Sequence, residues 1–355
     1  MVSLLSAQNC LTSLSISPNV LDRDSKALGT AINFLGQHQL LGLKLDQEFG
    51  GAGFSNLEYA DWQILVARFS GSLAFLQTQH QSAGSLLQAS ENSALQKEYL
   101  PLMSTGKKLV GVGFSQLRRQ GKPLVTVDRD SSGYVISGFV PWVTGNNFFD
   151  NFIVGATLAD GRELYALIPF KNSQQAQGGA IAIGEEMDLI SMPATNTVSV
   201  RLDNWRISED QVLQIKAPGS IHLSDRKNVL KPSCFALGAA HSAIDILEKI
   251  YQIKRLEFIL QTIASLKFNL DHLKEKILAA IANQTITYQE KLIFRSQAIN
   301  LAFRCAQAAV ISSSGAANNF SNDAGRVYRE VMMFSATAQT KDVIEASLKQ
   351  LCSEI

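Results

Sequence analysis

Gly133-Tyr-Val-Ile-Ser-Gly-Phe-Val-Pro-Trp142-Val143-Thr144-Gly145 is the stretch on which the fold turns. The turn signals Asp130-Ser-Ser-Gly133 and Ser137-Gly138 bracket a short β-rich run. A second run, Phe139 to Val143, stops at Thr144-Gly145-Asn146-Asn147, where the chain must turn again. Side chains two residues apart share one face of a strand, which predicts Trp142 and Thr144 together on an exposed strand end. An indole, a hydroxyl and unpaired backbone groups in one place suit a flat cofactor with polar edges.

Outward from this stretch, residues 109–217 carry β-branched and aromatic runs, among them Leu124 to Val127, Phe152 to Val154, Leu164 to Ile168 and Thr197 to Val200, spaced by Gly, Asp and Asn turns. A small β unit is expected there. Before it the spacing is helical: Leu28, Ile32, Leu35 and Gln39 fall on successive turns, as do Ile64, Leu65, Arg68 and Phe69. Gly50-Gly51-Ala52-Gly53 separates two of these helices, and Tyr99-Leu-Pro101 to Gly106 closes the last. Beyond Asp225 helical spacing returns along Leu237, Ala240, Ile244, Leu247 and Tyr251. Leu292 to Val310 is apolar nearly all round, as in a buried bundle helix. A further helix, Val327 to Leu351, is expected to carry Val327, Val331, Phe334 and Ala338 on one stripe. The fold class is therefore α+β multidomain: an N-terminal helical domain (1–108), a central small β-sheet or barrel domain (109–217) and a C-terminal helical bundle (218–355).

A chain of 355 residues with 46% hydrophobic content has ample material for a buried core. Lys plus Arg (32) balance Asp plus Glu (31), which gives no electrostatic case for a nucleic-acid partner. Cys10, Cys234, Cys305 and Cys352 form no Cys-x-x-Cys pair, and no histidine stands at zinc-ligand spacing, so reduced thiols and no metal centre are expected. No basic segment precedes the apolar pieces of residues 1–20, and no run of about 18 apolar residues occurs. Cytoplasmic residence without a membrane span is the expectation.

Three other motifs have plain explanations. Gly51-Ala-Gly53-Phe-Ser-Asn56 approaches a dinucleotide fingerprint, but Asn56 replaces the third glycine and the context is a turn between helices. Ser115 with His222 and His241 lacks the Gly-x-Ser-x-Gly elbow of a hydrolase. Arg118-Arg119 and Lys122 follow Gly113-Phe-Ser115-Gln116, where positive charge can hold a phosphate or pyrophosphate; solvated loop residues are the alternative.

The order of Phe49-Gly-Gly-Ala-Gly53, Leu100-Pro101, Gly133-Tyr-Val-Ile-Ser-Gly to Trp142-Val143-Thr144, and Arg329-Glu330 resembles the acyl-CoA dehydrogenase superfamily over nearly the whole chain. The resemblance implies FAD, with FMN as the alternative, between the β-domain and the C-terminal bundle. Carried over residue by residue, Trp142 would flank the flavin ring, Val143 and Thr144 would address its N5 edge, Phe114 and Ser115 its pyrimidine side, and Thr340 a flavin phosphate or the ribitol. It also implies a small-molecule substrate such as an acyl thioester, an electron-transfer or flavin-reductase partner, and a homodimer or homotetramer.

The departures bear on chemistry. Counted from Arg329, the family's Tyr-Glu-Gly-Thr falls on Thr337-Ala338-Gln339-Thr340, so Ala338 stands where its Glu base would. Asp342, one helical turn on, about 6 Å by rise, is the candidate replacement. Near the start of the first bundle helix, where some relatives carry the base, the chain reads Asn228-Val-Leu-Lys231. The loop that borders substrate and flavin becomes the shorter, basic Ser115 to Pro123. With no assigned base, the expected function is an acyl-CoA dehydrogenase-like flavin-dependent oxidoreductase. The alternatives are a flavin-dependent monooxygenase of the same fold and a non-catalytic flavin-binding or assembly protein.

Overall fold

The computed structural model describes residues 2–283 and 285–352. Six helices come first: α1 (Leu4–Ser13), α2 (Pro18–Arg23), α3 (Ser25–Gln37), α4 (Asn56–Phe69), α5 (Gly71–Gln88) and α6 (Ser93–Ser104). Strands follow: β1 (Val110–Gly113), β2 (Val125–Asp130), β3 (Gly133–Val143), β4 (Asn151–Leu158), β5 (Glu163–Pro169), β6 (Ser173–Gln174), β7 (Ala180–Ile183), β8 (Val198–Ile207) and β9 (Val212–Lys216). The C-terminal helices are α7 (Ser220–Lys227), α8 (Ser233–Lys254), α9 (Glu257–Ala282), α10 (Tyr288–Ser313), α11 (Asp323–Ala336) and α12 (Lys341–Cys352). The α+β class and the order helices, strands, helices are those expected. No helix among the described residues is long and apolar enough to cross a membrane.

The sheet runs β6-β7-β8-β3-β2-β4-β5-β9, and β1 also pairs with β4. Both β1 and β2 lie parallel to β4, β1 along Asn151 to Val154 and β2 at Thr157 and Leu158. They therefore occupy one edge of β4 end to end. The loop 114–124 leaves the sheet in the gap between them, and a 3-10 turn, Ser115–Arg118, fills it.

Close glycine contacts fix the N-terminal layer. A Cβ on Gly51 would lie 2.0 Å from the Leu45 carbonyl oxygen, so the turn between α3 and α4 requires glycine. Gln39 lies past the end of α3 with φ +58, because the chain turns back there to bury Leu40 and Leu41; the four-residue spacing had suggested another helical turn. His80, fully buried on α5, ties this layer to the sheet. Its Nδ1 accepts from the Val110 N–H (3.0 Å), which leaves Nε2 to donate to the Met103 carbonyl (3.1 Å). Burial pushes its pKa down to about 4.

The C-terminal helices are locked to the N-terminal ones by buried charge. Glu330 on α11 accepts from Arg326 Nη1 (2.7 Å) and from the Gly71 N–H at the first turn of α5 (3.1 Å). Arg329 bonds Asp22 (3.1 Å), whose other oxygen accepts from the Ser72 hydroxyl (3.2 Å). A Cβ on Gly71 would lie 2.6 Å from the Glu330 carboxyl carbon, so glycine permits the approach. Arg329-Glu330 thus joins α11 to α2 and α5.

One expected element is wrong. Val327 to Leu351 is not one helix: α11 ends at Ala336, α12 starts at Lys341, and Ala338 sits between them, exposed, with φ +50. Arg295 on α10 stabilises the break by donating to the Thr337 (2.7 Å) and Ala338 (3.3 Å) carbonyls, which a continuous helix would have used internally.

Two tests follow. Glu330→Ala leaves Arg326 buried without its carboxylate and should lower unfolding free energy by about 3–5 kcal/mol, whereas Lys349→Ala at an exposed pair should change it by less than about 0.5 kcal/mol in urea titration. A depressed histidine pKa contributes stability that is complete above 6.5 and lost as pH falls toward about 4. His80→Gln should therefore flatten the decline of the urea midpoint across that window; an unchanged slope would remove His80 from the account.

Candidate functional site

The strand ends expected to form a site do converge. A Cβ on Gly113, the last residue of β1, would lie 3.1 Å from Val143, the last residue of β3, and one on Gly111 would meet the Thr144 carbonyl oxygen at 3.5 Å. Phe114 and Ser115 thus leave β1 next to the end of β3 at Val143. The turn is pinned to the sheet at Gly155 on β4: a Cβ there would clash with Phe114 and Leu117 at 2.7 and 2.6 Å, and Gln116 Nε2 donates to the Gly155 carbonyl (2.7 Å). The Phe114 ring packs edge-on to Tyr165, centroids 5.7 Å apart.

Trp142 and Thr144 do not share a face as their spacing suggested. Trp142 is 48% exposed, whereas Thr144 is buried and its hydroxyl meets that of Thr197 at 3.0 Å. The physical reason is irregularity: the β3–β8 register shifts between Val140 and Val143, and β3 ends before Thr144. Beyond it, Gly145 N–H donates to the Thr195 carbonyl (3.0 Å). The strand end therefore carries a half-exposed indole and, two residues on, one member of a buried pair of hydroxyls.

Ser115 is the most informative residue of the group. Its hydroxyl is buried and has no hydrogen-bond partner. A buried hydroxyl left unpaired costs about 1–3 kcal/mol.

The second group of expected residues lies around the α11–α12 break. Thr340 Oγ1 accepts from the Val343 N–H (3.3 Å) and caps α12. Among the described residues no hydrogen bond joins Thr340 to Phe114, Ser115 or Trp142. Asp342 Oδ2 accepts from the Tyr288 hydroxyl (3.0 Å), and the broken helix removes the one-turn relation between Ala338 and Asp342. The two groups are connected through Arg118, which makes a two-pronged bond to Asp225 (2.8 and 2.9 Å) on α7. The Asp225 charge in turn acts on Arg295.

Sequence reasoning missed Arg295. It is 2% exposed and has no carboxylate within ion-pair distance; it bonds the carbonyls of Val229 (2.9 Å), Thr337 and Ala338, and burial pushes its pKa down to about 10. The signal was present as one of two cations, with Arg304, within the otherwise apolar run Leu292 to Val310.

Comparison with known proteins agrees with this architecture. Residues 13–107 match the family described as acyl-CoA dehydrogenase, N-terminal domain. The chain is 22% identical over 268 residues to a 3-(aryl)acrylate reductase of Clostridium sporogenes, covering 73% of this chain and 70% of that protein. It is 23% identical over 256 residues to a probable acyl-CoA dehydrogenase of Bacillus subtilis, covering 68% of this chain and 41% of that protein. Its fold is similar to that of glutaryl-CoA dehydrogenase from Mycobacterium smegmatis (TM-score 0.82, 16% identity, 99% of this chain and 94% of that one). It is also similar to that of butyryl-CoA dehydrogenase from Megasphaera elsdenii (TM-score 0.80, 16% identity, 98% and 97%). Residues 13–107 thus match the N-terminal domain of acyl-CoA dehydrogenases, and nearly the whole chain has the fold of these enzymes.

Removing the unpartnered hydroxyl should help the ligand-free protein. Ser115→Ala is expected to raise its unfolding free energy by about 1 kcal/mol, read as a higher urea midpoint at unchanged slope. A loss of stability would mean that the hydroxyl already has a partner.

Proposed function

We propose that the protein is a flavin-dependent oxidoreductase of the acyl-CoA dehydrogenase type, with its cofactor cradle in place and no carboxylate base at position 338. The observation that carries this reading is the convergence of the β1 and β3 ends, where Gly113 lies against Val143, with Trp142 left half-exposed at the end of β3. FAD is the cofactor, with FMN as the alternative, since the cradle addresses the ring common to both. The residues present fit that ring. Trp142 offers it an apolar face, the backbone of Val143 and Thr144 borders one edge, and Phe114 with Ser115 borders the polar side.

When bound, the flavin supplies hydride chemistry at the β-carbon of an acyl thioester. The chain's own residues divide the remaining work. Trp142 and Phe114 exclude water with apolar surface, and Arg295 fixes the loop carrying position 338. A methyl group at 338 holds no proton, and a positioned base is worth about 100- to 10,000-fold. Asp342 is already engaged by Tyr288. Slow or absent α-proton removal follows.

The relative named 3-(aryl)acrylate reductase supports a second reading within the same chemistry. Reduction of an activated double bond adds hydride at the β-carbon and a proton at the α-carbon; with no carboxyl at 338 to donate that proton, this reading requires solvent water to supply it. A same-fold monooxygenase, or an assembly protein that retains flavin, would keep the cradle as well; oxygen uptake with reduced flavin separates the former. Electron transfer to or from the flavin calls for a partner protein or a flavin reductase. The apolar side chains exposed on α9 and α12, Phe258, Phe268, Leu348 and Leu351, support assembly with a second copy.

Two measurements test the proposal. FAD reconstitution should succeed for the native protein, with Trp142→Ala weakening it about tenfold or more, the scale of a lost aromatic contact; failure of the native protein to take up flavin defeats the reading. Ala338→Glu, once flavin-loaded, should gain acyl-CoA-dependent bleaching. If it stays unbleached with every thioester tried, the site is not shaped for that substrate class.

A further inference from the structure

A cleft of about 330 Å³ opens between the N-terminal half of α3, the turn that follows β3 and the loop that leads into β8. Lys26, Asn147, Glu186 and Asn196 give it charged and polar walls, and Ile32 and Phe148 give it an apolar side. Asn196 is only 7% exposed, and its Nδ2 donates to the Asn146 carbonyl (3.3 Å). A flipped amide would set oxygen against oxygen, so the nitrogen keeps that place. Asn196 Oδ1 then has no partner among the described residues, yet it is not one of the unpaired oxygens sealed inside the chain: solvent reaches it. A side chain that is otherwise buried thus turns an open acceptor toward the cleft.

The backbone sets this acceptor in place. Asn147 and Asn196 both hold left-handed φ (+67 and +46), a conformation that asparagine adopts more readily than most residues with a Cβ. The Asn146 N–H donates to the Asn196 carbonyl (3.1 Å) and the Gly145 N–H to the Thr195 carbonyl (3.0 Å), which clamps the two loops together. Their amides are therefore ordered before anything binds.

Charge supplies the second half of the argument. Glu186 accepts one long bond from Asn147 Nδ2 (3.4 Å) and has no cationic partner among the described residues. On α3 the exposed Lys26 makes no ion pair or side-chain hydrogen bond among the described residues. The cleft therefore has a carboxylate with an open amide oxygen on its loop wall, and an ammonium on its helix wall. A plain carboxylate would leave Glu186 and Asn196 without a donor, and a plain amine would leave Lys26 without an acceptor. The space equals roughly eleven water volumes, at the small end of ligand pockets.

We propose that this cleft binds a free α-amino acid with an apolar side chain, its ammonium between Glu186 and Asn196 Oδ1 and its carboxylate toward Lys26. Its side chain lies against Ile32 and Phe148. The site shares no residue with the flavin cradle and is tested without flavin.

Isothermal titration of the full chain uses L-leucine as the probe, beside isocaproate, which lacks the ammonium, and isoamylamine, which lacks the carboxylate. Leucine should bind at least about tenfold more tightly than either, the scale of one hydrogen bond to a charged group. Glu186→Gln, an exposed change, should weaken leucine about tenfold and leave isocaproate as it was; Lys26→Gln should weaken leucine about tenfold and leave isoamylamine as it was. Glu185→Gln, at the exposed neighbour outside the cleft, should leave leucine binding unchanged. No leucine binding, equal affinities for leucine and either analogue, or leucine binding untouched by Glu186→Gln or by Lys26→Gln would each overturn the proposal.

Discussion

The bond from Glu330 to the Gly71 N–H, with Arg326 behind it, is the constraint on which the arrangement of helices depends. It joins the first turn of α5 to the middle of α11 across 259 residues of chain. A buried carboxylate is tolerated there because a guanidinium and a helix N-terminus both face it, although burial still raises its pKa against the pull of Arg326. A side chain at position 71 would separate the partners. Together with Arg329 and Asp22, the cluster fixes α11 against α2 and α5; α11 then ends at Ala336 and the chain breaks before α12. Position 338 is exposed and left-handed because of that break, and Arg295 holds it from the other side.

The cradle depends on a different constraint. β1 and β2 share one edge of β4, so the ladder is interrupted and the turn at Ser115 descends into the interruption. Gly155 allows the turn to lie against the sheet. One face of the turn presents Ser115 beside the β3 strand end, and Gln116 is bolted to two carbonyls beside a cleft. Two consecutive residues with buried, unsatisfied oxygens are expensive for the chain.

Much of this was legible in the sequence for a definite physical reason. The turn residues around Gly133 and the β-branched runs report local preferences, and they placed the strands; apolar spacing placed α3, α4, α8 and α10. Thr144 was misread because a register shift undoes the two-residue rule that spacing assumes. The α11–α12 break was misread because Ser335-Ala-Thr-Ala338 has no Gly or Pro to announce it, and the tertiary bonds of Arg295 impose it. Ser115 was readable as a loop serine and by resemblance as a flavin contact. That its hydroxyl is buried without a partner is a tertiary fact that no spacing encodes.

The claim at the centre is that the flavin cradle is complete while the group that would take the α-proton is missing. Anaerobic titration of the flavin-loaded native protein with saturated acyl-CoA thioesters, followed by visible absorbance, tests it most directly. The account predicts the oxidised flavin bands, shifted at most by binding and not bleached. Rapid bleaching by the native protein would contradict it, because a base other than a residue at 338 would then be at work.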